Sequence, residues 1–457
     1  MYKKSAKLPT DQLLKLGIND RGKLLNPSQL ETIHSQVKKT LDHPLKNQSS
    51  VKVFLEDLNP VRFGITFFHL LDIGQIPIPL PHGLSDFQRR HLVENHPDSH
   101  FLRGTESIGA QFSSEPRSEP YTNTYGCLTS GTTGQSKLCF LSVDGALKLS
   151  QEHADSMSID SGDQIIQSLP LYHSFGLMCF LWTAVVKKAS IDFNSGMLGL
   201  RMLSRKKLKQ GVLHISPAQL RFMLNEKLDQ PIAGMRAVSV GGGPVYSEEL
   251  TALRKKFDPN TQFFVTYGLT EAGPRVSTGI ASEGRGFGYI GKPFPSVSAR
   301  VMDSSGELRE EGEGLFYIKS PGLFLNPSPK KLESGFYCTD DLVKIDPSGN
   351  MYFLSRADDL INVGGVSTYP EEIESVTRLI PGVIDCIVFK TSDPVFGEVP
   401  ALFVEGEVDQ ADVRNFLSER LDLNQLPRKI TTLKTLPRNS LNKVDRQALT
   451  NLIEKES

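Results

Sequence analysis

No run of apolar residues in this chain is long enough to cross a bilayer; the longest, Gly176 to Val186, is about half of what a spanning helix needs. No apolar stretch follows the basic N-terminal MYKKSAKLPTDQLLKLG, which makes it a poor signal peptide. Excess charge of either sign is also missing. Lys plus Arg number 51 and Asp plus Glu 52, so nothing argues for nucleic acid or an acidic membrane surface as partner. No CxxC pair occurs among Cys127, Cys139, Cys179, Cys338 and Cys386, and no histidine cluster accompanies them. That spacing suits neither a disulfide framework nor a zinc site, and reduced, buried thiols in a cytoplasmic protein are expected instead. Internal repeats and low-complexity tracts are absent too.

What is present is an ordinary globular composition, 39% hydrophobic and 23% charged, over 457 residues. At ~150 residues per domain this length allows two to four domains. Residues before Ser50 are polar with short helical periodicity and carry no functional signal. From Val51 the pattern runs strand, helix (Phe63–Leu71), strand (Ile76–Leu80), and a polar loop spans Gln111 to Pro120. Apolar runs then recur at Ile165–Leu169, Val212–Ile215, Ala237–Val240 and Gln262–Thr266. Helical patterns such as Pro217–Leu228 and Ser247–Phe257 lie between them, and Pro217 suits a first helical turn. Strands alternating with helices predict an α/β fold with doubly wound parallel sheets. After Gly288 short strands and tight turns predict a β subdomain over about 288–356. The last stretch predicts a small α+β domain: a helix over Pro370–Leu379, strands at Val383–Phe389 and Ala401–Val404, a helix over Gln410–Leu421 and another after Lys443.

The sharpest local signal is LTSGTTGQSK, Leu128 to Lys137. Glycines admit backbone N–H groups close to an anion, hydroxyls donate, and a lysine supplies charge, as a triphosphate requires. The spacing is not that of a Walker loop, because Thr132 stands where the lysine should be. Read by itself, the segment could equally be a Ser/Thr-rich turn. Tyr267-Gly-Leu-Thr-Glu271 ends a strand and offers a ring to stack on a base, a hydroxyl for a phosphate and a carboxylate for Mg²⁺; a packed strand-end tyrosine is the plainer alternative. Gly241-Gly-Gly-Pro244 could let a flat ring lie on bare backbone, or be a turn. Asp341, in YCTDDL, could hold a ribose, or sit in a solvated turn. Lys443 would ordinarily be a surface lysine, and His173 a core histidine.

The order of these segments resembles the ANL superfamily: acyl-CoA synthetases, peptide-synthetase adenylation domains and luciferases. The resemblance runs from about Val51 to the C-terminus. LTSGTTGQSK is similar to that family's phosphate loop, LPLYHSFGL to its acyl-pocket motif, GGGP to its adenine strand and YGLTEAGP to its adenine and Mg²⁺ motif, the last especially similar to that of plant-type coumarate ligases. YCTDDL resembles the ribose motif, SRADDLINVGG with YPEEIE the hinge and pantetheine loop, and PRNSLNKVDR the segment with the catalytic lysine.

The resemblance implies a large domain over 1–356 and a mobile lid over 357–457. It implies an AMP-forming acid–thiol ligase, which makes an acyl-AMP from a small carboxylic acid and MgATP. The acyl group then passes to the pantetheine thiol of CoA or of an acyl carrier protein. Thr129, Ser130, Gly131, Thr132, Thr133, Gly134 and Lys137 would hold the phosphates. Gly242, Gly243, Pro244, Tyr267 and Gly268 would receive the adenine, and Asp341 with Arg356 the ribose. Thr270 would contact the α-phosphate, Glu271 would ligate Mg²⁺, and Lys443 would bridge the reacting anions. Gly364 and Gly365 would line the pantetheine tunnel after rotation at Asp358. His173, His214, Ser216, Gly241, Gly242, Tyr267 and Ala272 would shape the acid pocket, for an aromatic or medium-sized acid. Departures from the family pattern are Ser136, Leu138, Asp340, Ser355 and Asn442. An inactive adenylate-binding relative and a luciferase-type oxygenase are the alternatives.

Overall fold

The computed structural model describes residues 9–20, 22–45, 50–96, 98–104, 106–108, 121–129, 137–194, 196–228, 230–282, 288–328, 331–438, 444–445 and 448–449. The chain divides into two compact units. One comprises Met1–Arg300, Tyr317–Thr339 and Asp346–Met351; the other comprises Val301–Phe316, Asp340–Ile345 and Tyr352–Ser457.

The first unit is built on an eight-stranded sheet. Its order is Ser277–Ile280, Gln262–Tyr267, Met235–Gly241, Gly211–Ile215, Gln164–Gln167, Ser190–Phe193, Ile18–Asp20 and Lys23–Leu25. The inner strands run parallel, and only the two outermost pairs are antiparallel. Gly211–Ile215 is buried at every position, as a strand covered on both faces must be. The helix Pro217–Asn225 starts where Pro217 suits it. The Ser216 hydroxyl accepts from the Gln219 N–H, and the Gln219 side chain returns to the Ser216 N–H.

The N-terminal region departs from its sequence reading. Ile18–Asp20 joins the large sheet parallel to Ile191–Phe193, and Pro27–Leu45 forms a 19-residue helix. The polar composition hid both, because only one face of each is buried.

A smaller sheet places Ile76–Pro79, Lys52–Glu56 and Ser99–Arg103 in parallel, with Glu106–Ile108 antiparallel at its edge. The prolines of Ile76–Pro79 sit on an edge strand, where a missing N–H costs little. Helix Pro60–Asp72 is capped by Asn59, whose side chain accepts from the Arg62 N–H. Its Phe67 and Phe68 pack edge-on against Trp182 at 6.0 and 4.9 Å. Trp182 lies within the apolar run that begins at Gly176. That run is a short helix, a π-turn at Met178–Trp182 and a second helix, all buried at the turn. Among the described residues no helix is long and apolar enough to cross a membrane.

The division between the units falls within the strands of 298–356. In the second unit a long hairpin pairs Val383–Asp393 with Gly397–Gly406, and Lys429–Leu433 runs parallel to the latter. Helices Pro370–Thr377 and Gln410–Ser418 supply the apolar residues Ile373, Val413 and Leu417 to its core.

Candidate active site

In open parallel sheets ligands bind beyond the carboxyl ends of the strands. Four of the singled-out segments stand there in the first unit. Leu169–Phe175 follows Gln164–Gln167, Ser216 follows Gly211–Ile215, Gly242–Pro244 follows Met235–Gly241, and Gly268–Glu271 follows Gln262–Tyr267. Parallel register alone brings their ends together.

Side chains then join the segments. The Ser174 and Thr270 hydroxyls lie 2.7 Å apart, tying the LYHSFG turn to YGLTE. Phe175 lies under Gly242, where a Cβ would stand 3.2 Å from its ring. Gly242 takes φ +87°, and Gly242, Gly243 and Pro244 are exposed, so bare backbone faces out. A Cβ on Gly241 would meet Thr266 at 2.4 Å, and one on Gly268 would meet the Pro274 carbonyl oxygen at 1.8 Å. Tyr267, Thr270 and Glu271 are half-buried, and Ala272 is fully buried. His173 precedes the helix Ser174–Leu177, with its ring 4.6 Å from that of Tyr172.

Of the phosphate segment, Thr129 and Lys137 are described, as the paired ends of the hairpin Thr124–Thr129 and Lys137–Ser142. Ser130, Gly131, Thr132, Thr133, Gly134 and Ser136 lie outside the described residues. The hairpin abuts the Thr270–Ala272 turn. Lys137 Nζ stands 4.5 Å from the centre of the Phe324 ring, and the Phe324 N–H donates to the Glu271 carbonyl at 2.9 Å. Burial pushes the Cys139 thiol up to about 12; the Glu271 carboxylate adds to this and Lys137 opposes it. Glu271 and Lys137 are thus within electrostatic reach of one point. A carboxylate and a lysine beside exposed glycine backbone fit a magnesium nucleotide, which would supply the electrophilic phosphorus.

In the second unit Asp341 is buried, and Arg356 Nη1 donates to its carboxylate at 2.6 Å. Asp340 takes φ +61°, a left-handed conformation that glycine adopts without strain. Gly364 and Gly365 both have positive φ in the turn between Ile361–Val363 and Val366–Thr368. Asp358 lies in the 3₁₀ turn Ala357–Asp359. Asn442 and Lys443 lie outside the described residues. The chain is held on both sides of them: Arg438 pairs with Asp385 and Glu405 at 3.0 and 3.2 Å and bridges to Val444.

His214, expected in the acid pocket, is fully buried, with Nδ1 2.6 Å from the Ser239 hydroxyl. Burial, reinforced by Arg275, lowers it to about 3, so it is neutral. Beside it stand His153, Cys179 and Arg275, none of which the motifs single out. The available signal was a lone arginine directly after YGLTEAGP.

Hydroxyl, carboxylate and exposed glycine backbone at the carboxyl edge of a doubly wound sheet suit an ATP-dependent α/β enzyme. Residues 46–326 match the model of the AMP-binding enzyme family, and the chain belongs to that family, within the ANL superfamily. It is similar to a 2-succinylbenzoate–CoA ligase of Lactococcus lactis, 26% identical over 93% of this chain and 96% of the relative. A 2-succinylbenzoate–CoA ligase of Bacillus cereus is 30% identical over 71% of this chain and 69% of the relative. In fold it is similar to ATP-bound MatB from Rhodopseudomonas palustris, TM-score 0.83 at 22% identity over 98% of this chain and 99% of that one. The o-succinylbenzoate coenzyme A synthetase of Bacillus subtilis, in complex with ATP and magnesium ion, has a TM-score of 0.81 at 21% identity, covering 97% and 99%. The chain is an AMP-forming acid–thiol ligase that works with ATP, Mg²⁺ and a pantetheine thiol.

Proposed function

We propose that this enzyme activates an aromatic carboxylic acid about the size of 2-succinylbenzoate and transfers it to free CoA in the cytoplasm. The observation that carries the reading is the convergence of Ser174, Gly242, Tyr267 and Thr270 at one sheet edge, with exposed glycine backbone for a flat ring. CoA is the acceptor named in the similar relatives. A carrier protein is the alternative acceptor.

The acid's carboxylate attacks the α-phosphorus of MgATP and expels pyrophosphate; the thiol sulfur then attacks the acyl carbon and expels AMP. Gly242, Gly243 and Pro244 receive the adenine, and Tyr267 and Gly268 hold it from the other side. Thr129 to Lys137 grip the β- and γ-phosphates. Thr270 contacts the α-phosphate, and Glu271 ligates Mg²⁺. Asp341, held by Arg356, takes the ribose hydroxyls. Lys443 bridges carboxylate and α-phosphate, two anions that repel until a fixed cation lies between them. His173 borders the acid. Residues 1–356 act as the nucleotide-binding domain and 357–457 as the lid. Rotation at Asp358 exchanges Lys443 for Gly364 and Gly365.

The test is pyrophosphate release and hydroxamate formation with a panel of aromatic and aliphatic acids, followed by thioester formation with CoA or phosphopantetheinylated carrier protein. Aromatic acids with CoA should give the highest turnover. Activity confined to aliphatic acids, or to the carrier, removes that part of the reading.

A further inference from the structure

Beside the acyl motifs the first unit buries an arginine that no carboxylate pairs with among the described residues. Arg275 is 2% exposed. It donates to Cys179 Sγ at 2.8 Å and to the Pro274 carbonyl at 3.3 Å, and its guanidinium lies 3.9 Å from the centre of the Phe175 ring. Its Nε is buried with no hydrogen-bond partner. No carboxylate is among its partners in the described residues.

The groups around it stay neutral. Burial pushes the Cys179 thiol up, against the pull of Arg275. Burial first, then Arg275, keeps His153 and His214 unprotonated. His153 is committed to the Thr278 hydroxyl at 2.9 Å, whereas the buried His214 Nε2 has no partner. A lysine in this place could shed its proton; a guanidinium cannot, so the charge persists and calls for an anion.

The anion's identity follows from position. Phe175, stacked on Arg275, is the ring beneath Gly242, and Cys179 lies one turn further along the same buried segment. Arg275 therefore lies one aromatic ring away from the exposed glycine backbone. The carboxylate that reacts must be at the α-phosphate and cannot also be here. We propose that Arg275 forms the floor of the acid pocket and pairs with a second anionic group of the substrate, remote from the reacting carboxylate, so that the preferred acids are dicarboxylates. This rests on the reading that the acid lies between the LPLYHSFGL and GGGP segments. A metal is the competing occupant, because the ligand atoms of His153, Cys179 and His214 lie within 4.8 Å of one another. The Arg275 guanidinium on the same sulfur opposes a cation and favours an anion.

The experiment compares matched acids on wild type, Arg275→Gln and Arg275→Lys: 2-succinylbenzoate against 3-benzoylpropanoate, terephthalate against benzoate, and adipate against hexanoate. Where a pair is turned over, wild type should favour the diacid in kcat/KM by at least ~100-fold. Arg275→Gln should erase that preference, mainly by raising KM for the diacid, with kcat for the monoacid kept; Arg275→Lys should retain part of it. Wild type without a diacid preference overturns the proposal, as does a preference that survives Arg275→Gln. Stoichiometric metal in the purified wild-type protein overturns it too. If Arg275→Gln does not fold, the wild-type ratio and Arg275→Lys decide. If no acid releases pyrophosphate, the proposed reaction has failed, and Arg275 is tested by melting alone. Diacids should then raise the wild-type melting temperature and monoacids should not; equal shifts, or none, overturn the assignment.

Discussion

At Gly268 the chain passes so close to Pro274 that any side chain would strike backbone, with its Cβ 1.8 Å from the carbonyl oxygen. Backbone cannot step aside as a flexible side chain can. Gly268→Ala should therefore destabilise the first unit by about 3 kcal/mol and displace Thr270 and Glu271. Denaturant unfolding together with pyrophosphate release checks this. An unchanged midpoint with unchanged activity would mean that the turn has slack. Asp341 makes a different case, because its charge is buried and held by Arg356 at 2.6 Å. Asp341→Asn should keep the fold and raise the KM for ATP about tenfold to a hundredfold, through loss of a charge-assisted contact to the ribose. If KM for ATP stays put while that for the acid rises, the ribose role is wrong.

Helix Pro370–Thr377 carries a pH-sensitive element. Burial pushes Glu371 up to about 8; Glu374 and Asp359 add to the shift, and the Ser355 hydroxyl opposes it. Ser355 is one of the departures from the family pattern, so a glycine there would leave Glu371 without that hydroxyl. The folded carboxyl holds its proton more tightly than the unfolded one, at about 8 against 4.5. Its stabilising effect is full below pH 4.5 and is lost as pH rises towards 8. Stability of the second unit should fall across that window by on the order of 4 kcal/mol, and Glu371→Gln should flatten the slope. Melting curves from pH 5 to 9 on both proteins test it, and parallel slopes would show that Glu371 ionises freely in the fold.

Two half-reactions in one molecule require that substitutions separate them. Lys443→Ala should lower acyl-AMP formation by ~10²–10³ and spare thioester formation from pre-made acyl-AMP. Asp358→Pro, in the 3₁₀ turn Ala357–Asp359, should do the reverse, because proline fixes φ near −65° and biases the residue before it. ATP–pyrophosphate exchange and thioester yield, measured on the same preparations, decide both. Equal loss of the two activities in Asp358→Pro would point to misfolding or a misplaced hinge, and no loss of either would mean that the rotation is not needed.

The sequence by itself determined the parallel α/β class, because four apolar runs of strand length alternate with helical patterns, and it determined the chemistry, because ordered motifs fix which groups are available. Glycine at 242, 364 and 365 permits the positive φ found there but does not dictate it, since glycine takes either sign. Tertiary structure alone decided what a local pattern does not contain. Ile18–Asp20 became a strand of the large sheet only because Ser190–Phe193 offered an edge to pair with, and Lys429–Leu433 became a strand of the second unit's sheet beside Gly397–Gly406. His153, Cys179, His214 and Arg275 are far apart in sequence and share no motif, so their meeting is set by packing. An uncompensated charge is a property of everything around it, and a linear pattern shows the arginine but not its missing partner.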